Sequence, residues 1–351
     1  MNIQNLVREN IRRLTPYSSA RDEFAGEARI FLDANENSFG SPLPKDYNRY
    51  PDPLQSKIRE KMAEMKGVRP SQIFVGNGSD EAIDLLMRIF CRPGRDNIII
   101  CPPTYGMYKV SAGINDVAVK DAPLTGDFRL DRSAVRRATG DRSKILFICS
   151  PNNPTGNAFP VGEITALAES FPGIVVVDEA YIHFSSVGSM IDRIEELSNL
   201  VVLQTFSKAW GLAGLRVGLA FASEEMIELF NKVKPPYNVS GIAQEAVLQA
   251  LENRERSERT IAEILRERDQ LFKDLSELGI VERVYPTDAN FVLVKTTDAG
   301  AIYRFLLAEG IVVRDRQRVE LCAGCLRITV GTPEENESLL GALGRFETGD
   351  R

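Results

Sequence analysis

Five short runs of apolar, mostly β-branched residues constrain this chain more than anything else in it: NIIICPP from Asn97, KILFICSP from Lys144, IVVVD from Ile174, LVVLQTF from Leu200 and VGLAFA from Val217. Several lack the alternation of a strand with one wet face. Such runs suit strands covered on both sides by helices, as in a mostly parallel α/β sheet. An earlier segment, IFVGNGSDEAIDLLMRIF, reads as strand, glycine turn and helix, because Ile83, Leu86, Met87 and Phe90 recur at helical spacing. A further helix is predicted from about Ser56 to Lys66, with Ile58, Met62 and Met65 on one side.

Beyond Gly241 the pattern changes. The stretch to Leu278 is helical and charged, and it is followed by strand-like FVLVK (Phe291 to Lys295), helical AIYRFLLAEG, and strand-like IVVRD and LRITVG. The expected organisation is an N-terminal arm at 1–30, a large α/β domain at 31–240 and a smaller α+β domain at 241–351. With 351 residues, 43% of them hydrophobic, the chain can bury the core this needs. A formal net charge of -6 argues against nucleic acid, whose phosphates bind clustered Lys and Arg. Neither a signal-type apolar segment nor a run of about 20 apolar residues appears, so a cytoplasmic protein without membrane association is expected. The five cysteines are odd in number and sparse, which reads as reduced thiols. Cys322 and Cys325 form a C-x-x-C with no second pair, and His183 is the only histidine, so no metal site is expected.

Two of the apolar runs end on residues that can do chemistry together. IVVVD closes on Asp178, and LVVLQTF leads into Ser207 and Lys208, so both functional groups stand at strand ends 30 residues apart. That interval has room for a strand, a helix and a returning parallel strand. An amine and a carboxylate so placed suit pyridoxal phosphate: Lys208 as the imine-forming amine and proton carrier, Asp178 as the partner that keeps the ring nitrogen protonated. In the stiff loop SPNNPTG, Asn153 can donate to the cofactor's phenolic oxygen, and Tyr181 of DEAY can reach the same atom. The GNGSDE turn opens a helix at Ser79, offering backbone N–H groups and the positive end of the helix to a phosphate. Asp80 and Glu81 are compatible with that anion if their carboxylates turn away, and Ser207 and Arg216 can complete the cup.

The segments ANEN (Ala34 to Asn37), NRYPDP (Asn48 to Pro53), GNGSDE, PPTYGMY (Pro102 to Tyr108), SPNNPTG, DEAY, TFSKAWGLAGLR and LRITVGT resemble the aspartate aminotransferase superfamily of fold type I, most closely its histidinol-phosphate aminotransferases. The resemblance runs from about Tyr17 to the end of LRITVGT. It implies Lys208 bonded to the cofactor, Asp178 on the pyridinium, Asn153 and Tyr181 on the phenolic oxygen, and Tyr105 stacked on the ring. The phosphate would be held by Ser79, the Asp80 backbone, Ser207 and Arg216, with Tyr50 reaching in from the second subunit of an obligatory homodimer. Arg327 and Arg314 would read the substrate's acidic groups, and Tyr17 would close over it.

The implied reaction passes an amino group between histidinol phosphate and 2-oxoglutarate, giving imidazole acetol phosphate and glutamate. Decarboxylation of threonine phosphate and a broader aromatic or aspartate aminotransferase stay open within the same fold. A non-catalytic sensing or scaffold member is the reading from another class, and it would have lost the lysine or the carboxylate. Two positions depart from the family pattern: His183 where an acidic residue is frequent, and Trp210 where Phe is more usual.

Overall fold

In the computed structural model, which describes residues 2–17 and 29–349, each of the five apolar runs becomes a strand of one seven-stranded sheet. Strands β1 (Ile73–Asn77), β2 (Asn97–Ile100), β3 (Ala118–Asp121), β4 (Ser143–Cys149), β5 (Ile174–Asp178), β6 (Leu200–Thr205) and β7 (Val217–Ala222) lie in the order β1-β7-β6-β5-β4-β2-β3. Strands β2 to β6 are mutually parallel. β7 runs antiparallel to both β6 and β1, although its run reads like the others. Its connection explains this: residues 206–216 are too few for the crossover of a dozen or more residues that a parallel return requires.

The missing alternation has a simple cause. Leu146, Ile148, Val175, Val177 and Val202 face one buried core, while Ile145, Phe147, Ile174, Val176 and Val201 face another. Both faces are dry. They are covered by helices α1 (Ser56–Lys66), α2 (Ser79–Phe90), α3 (Met107–Ile114), α4 (Val161–Ser170), α5 (Glu224–Val233) and α6 (Gly241–Glu252). α2, α3 and α5 pack on one face through Phe90, Tyr108 and Phe230. α1, α4 and α6 pack on the other through Met62, Leu167 and Val247. The interval between Asp178 and Lys208, though long enough for a helix, holds only short 3-10 turns at Ile182–Phe184 and Met190–Arg193 between β5 and β6. The buried Glu179 carboxylate holds this segment down, accepting bonds from Ser189 Oγ and Met190 N at 2.6 Å each and from Gln204 Nε2 at 2.9 Å.

The second sheet is antiparallel throughout, ordered β10-β11-β9-β8 from β8 (Val281–Val284), β9 (Phe291–Thr296), β10 (Arg314–Asp315) and β11 (Cys325–Thr329). Of IVVRD only the last two residues join the ladder. Helices α7 (Arg254–Glu277), α8 (Ala299–Ala308) and α9 (Pro333–Thr348) cover one face, burying Leu275, Ile302 and Leu339 against Val292, Val294 and Leu326. From the other face Leu293 joins the core of the large sheet, and Phe291 packs with Tyr181 and Phe184. Among the described residues no helix is long and apolar enough to cross a membrane.

Candidate active site

β1, β2, β4, β5 and β6 all end at the same edge of the large sheet, and the loops leaving them build one cavity of about 570 Å³. Carboxyl ends of parallel strands are where open α/β sheets bind ligands, since the loops and helix N-termini converge there. Eleven of the thirteen residues singled out from the sequence line this cavity.

Asp178 closes β5 and is 3% exposed. The Tyr108 hydroxyl donates to its Oδ2 at 2.8 Å, and the Ala180 N–H donates to its Oδ1 at 3.2 Å. Burial pushes its pKa up from 3.8 to about 6, outweighing those two bonds and the more distant Lys208, which favour the charged form. Lys208 follows β6 by three residues, with Nζ 5.6 Å from the centre of the Tyr181 ring. Its pKa is lowered, by burial first and then by the neighbouring Arg327 charge. Its neutral form is therefore more accessible than that of a lysine free in water.

Asn153 joins two of the expected groups. Its Nδ2 donates to the Tyr181 hydroxyl at 3.5 Å, and its Oδ1 accepts from Arg327 Nη1 at 2.5 Å. Burial raises the Tyr181 pKa and keeps the phenol a donor. The Arg327 guanidinium lies 5.1 Å from the centre of the Phe291 ring, and its Nε is buried without a partner.

At the other end of the cavity α2 starts after Gly78, whose φ of +75° favours glycine and which offers no side chain to cap the helix. A Cβ on Gly218 would stand 2.1 Å from the Ser79 nitrogen, and one on Gly78 would stand 2.8 Å from Arg216 Nη2. The start of α2 thus rests directly on β7, with a guanidinium over it. Arg216 Nη1 reaches Ser207 Oγ at 3.4 Å, and Nη2 reaches Asp80 Oδ2 at 3.3 Å. The two acidic residues behave differently. Glu81 turns away, its Oε2 accepting from Asn77 N and from Asn238 Nδ2. The Asp80 carboxylate does not, contrary to expectation, because Arg216 and the Tyr105 hydroxyl, at 3.2 Å, both draw it to the cavity wall.

Two expected residues are not brought here within a single chain. Tyr50 is 51% exposed and stacks on Tyr237 with ring centres 4.3 Å apart. Tyr17 is 76% exposed and lines a separate cleft with Leu14 and Pro53. His183 lies outside the cavity, its pKa pushed down to about 4 by burial and by Lys66. Trp210 packs on Phe206 with ring centres 5.6 Å apart. Cys322 and Cys325 are free and buried, their thiols pushed up to about 12 and about 11.

Sequence reasoning missed two residues of the site. Tyr108 stands three positions after Tyr105, and a tyrosine amid the apolar face of a short helix is a cue for a buried partner of its hydroxyl. Arg316 lines the cavity beside Arg314, and the alternation R-D-R was the available signal.

A mostly parallel sheet whose strand ends are roofed by a smaller antiparallel one is the architecture of the fold type I aminotransferases. Residues 34–343 match the family model for aminotransferase class I and II. The histidinol-phosphate aminotransferase of Cytophaga hutchinsonii is 50% identical over 98% of this chain and 99% of its own length, and that of Parabacteroides distasonis is 51% identical over 97% and 98%. The crystal structure of histidinol-phosphate aminotransferase from Sinorhizobium meliloti in complex with pyridoxal-5'-phosphate shares the fold, with a TM-score of 0.81 at 24% identity over 91% of this chain and 90% of that one. The chain belongs to the class I and II aminotransferase family, and within it to the histidinol-phosphate aminotransferases.

Proposed function

We propose that this chain binds pyridoxal 5'-phosphate and transfers the amino group of histidinol phosphate to 2-oxoglutarate in histidine biosynthesis. The observation that carries the reading is the Asp178 carboxylate, buried at a strand end and lining the same cavity as the Lys208 side chain. A carboxylate in that position is stabilised by a cationic ring nitrogen, and the uncapped start of α2 with Arg216 suits a phosphate at the far end of the same ring.

When bound, the cofactor supplies an electron-withdrawing ring joined to the substrate amine. The protein does the rest. Asp178 would hold the proton on the ring nitrogen, Asn153 and Tyr181 would donate to the phenolic oxygen, and Tyr105 would line the ring's site. The N–H groups of Ser79 and Asp80, with Ser207 and Arg216, would hold the phosphate. Lys208, made more readily neutral by partial desolvation and the nearby Arg327 charge, would move a proton at the carbon that bears the substrate nitrogen. Arg327 and Arg314 hold the acidic end of the substrate, a task suited to guanidinium forks because carboxylate and phosphate both accept paired N–H bonds.

On this reading residues 31–240 carry the cofactor and 241–351 carry the arginines that read the substrate. The working unit is a cytoplasmic homodimer, in which Tyr50 of a second copy completes the phosphate cup and Tyr17 closes over the substrate. The test is a set of single half-reactions followed by the loss of the cofactor's aldehyde absorbance. Histidinol phosphate and glutamate should each discharge it, and Lys208→Ala should bind cofactor yet turn over at least about a thousandfold more slowly, the scale of general acid–base plus covalent catalysis. Carbon dioxide release from threonine phosphate without glutamate formation would transfer the chain to the decarboxylases. Near-normal turnover by Lys208→Ala would remove its assigned role.

A further inference from the structure

The cavity carries more positive charge than the family motifs explain. In the ladder of the small sheet Arg314 stands opposite Arg327, and the pairing continues because the Arg316 N–H donates to the Cys325 carbonyl at 3.0 Å. Side chains alternate along an extended segment, so Arg316 returns to the face of Arg314 while Asp315 points the other way. Asp315 is occupied there: its Oδ1 accepts from the Gln317 N–H at 2.8 Å and from Gln317 Nε2 at 3.2 Å. Arg314, Arg316 and Arg327 all line the cavity, and none of them has an ion-pair partner within 4 Å among the described residues.

Like charges on one face of a paired ladder repel each other. Burial, Arg327 and Arg314, in that order, disfavour the charged form of Arg316. Only one donor of Arg316 is engaged by the protein, Nη1 on the Asp315 carbonyl at 3.2 Å, which leaves most of a five-donor fork facing the cavity. With Arg327 Nε also buried and unpartnered, the cluster holds more free donors than one carboxylate can accept. One fork saturates the two oxygens of a carboxylate, whereas a terminal phosphate presents three oxygens and close to two charges.

We propose that Arg316 is a third substrate-reading arginine, which together with Arg314 selects a dianionic phosphate over a carboxylate at the far end of the amine. The assignment of histidinol phosphate as substrate rests on the reading above, so the experiment has one arm that needs it and one that does not. In the first, holoenzyme of the wild type, Arg316→Gln and Arg316→Lys is taken through the histidinol phosphate and glutamate half-reactions. Arg316→Gln should raise the half-saturating concentration of histidinol phosphate about 10- to 100-fold, the loss of one or two charge-assisted bonds, and at least tenfold more than that of glutamate. Arg316→Lys should recover part of the loss by restoring the charge.

In the second arm inorganic phosphate inhibits the glutamate half-reaction of the holoenzyme. Arg316→Gln should weaken that inhibition by a similar factor. Equal changes for both amines, or phosphate inhibition untouched by the substitution, would overturn the role of Arg316. A wild type that ignores histidinol phosphate would instead overturn the proposed substrate, and the phosphate arm would still decide Arg316.

Discussion

Tyr108→Phe removes one oxygen from a ring whose packing otherwise survives, since the side chain is fully buried, stacked on Phe147 at 4.7 Å and edge-on to Tyr105 at 5.5 Å. Asp178 then loses the shorter of its two hydrogen bonds. A bond to a buried charged group contributes about 1.5–3 kcal/mol, which is a factor of roughly 10 to 100 in the ionisation of the carboxyl group. The bond favours the ionised form, so its loss raises the Asp178 pKa above its present value of about 6. At neutral pH the wild-type carboxylate is mostly charged, whereas about half or more of the variant's is protonated and unable to pair with a ring cation.

The assay is a spectroscopic titration of pyridoxal phosphate into apoprotein between about pH 5 and pH 9, where this linkage operates. Affinity at neutral pH should fall about 2- to 10-fold and recover as the pH is raised, and the acid limb of turnover should move upward by about one to two pH units. A folded variant whose cofactor affinity and acid limb match the wild type would refute the claim that Tyr108 sets the charge of Asp178.

Two further outcomes follow from the same geometry. In the apoprotein, Asp178→Asn should raise stability above pH 6 by up to about 3 kcal/mol, because a buried carboxyl whose pKa rises from 3.8 to about 6 on folding loses stability as pH climbs through that window. Urea melts at two pH values check this, and a gain that persisted below the lower value would contradict it. Gly218→Ala should cost about 1–3 kcal/mol by overpacking, since its Cβ meets backbone atoms of Ser79 and Gly78 that cannot swing aside. Cofactor affinity should fall with it, and an unchanged melting temperature and affinity would show that α2 and β7 are not packed as described.

Fold class was legible because it is written in pattern. The valines of IVVVD are buried on both faces, and only a doubly covered strand asks for that. β3 left no such trace, being an edge strand of mostly exposed residues, Ala118–Asp121. The direction of β7 was hidden too, because apolar content sets burial, whereas the eleven-residue link sets direction. The connection between Asp178 and Lys208 was open for a related reason: 30 residues allow a crossover helix but do not require one, and Glu179 ties that segment into turns instead. Within the site, motif residues could be named from their neighbours, while the roles of Tyr108 and Arg316 rest on contacts with Asp178, 70 residues away, and with Cys325 on the paired strand, which their local patterns hint at without naming the partner.

The antiparallel ladder that carries Arg314, Arg316 and Arg327 has a core of its own on one face, while Leu293 and Cys325 on the other face join the core beneath the strands that end at Asp178 and lead to Lys208. On the proposed reading, Arg327 belongs to both tasks, since it bonds Asn153 and bears on Lys208, whereas Arg314 and Arg316 stand clear of the proton-moving groups. Edits to those two positions can retune which amine is accepted while Lys208 and Asp178 stay as they are, so divergence among such catalysts is expected to concentrate there.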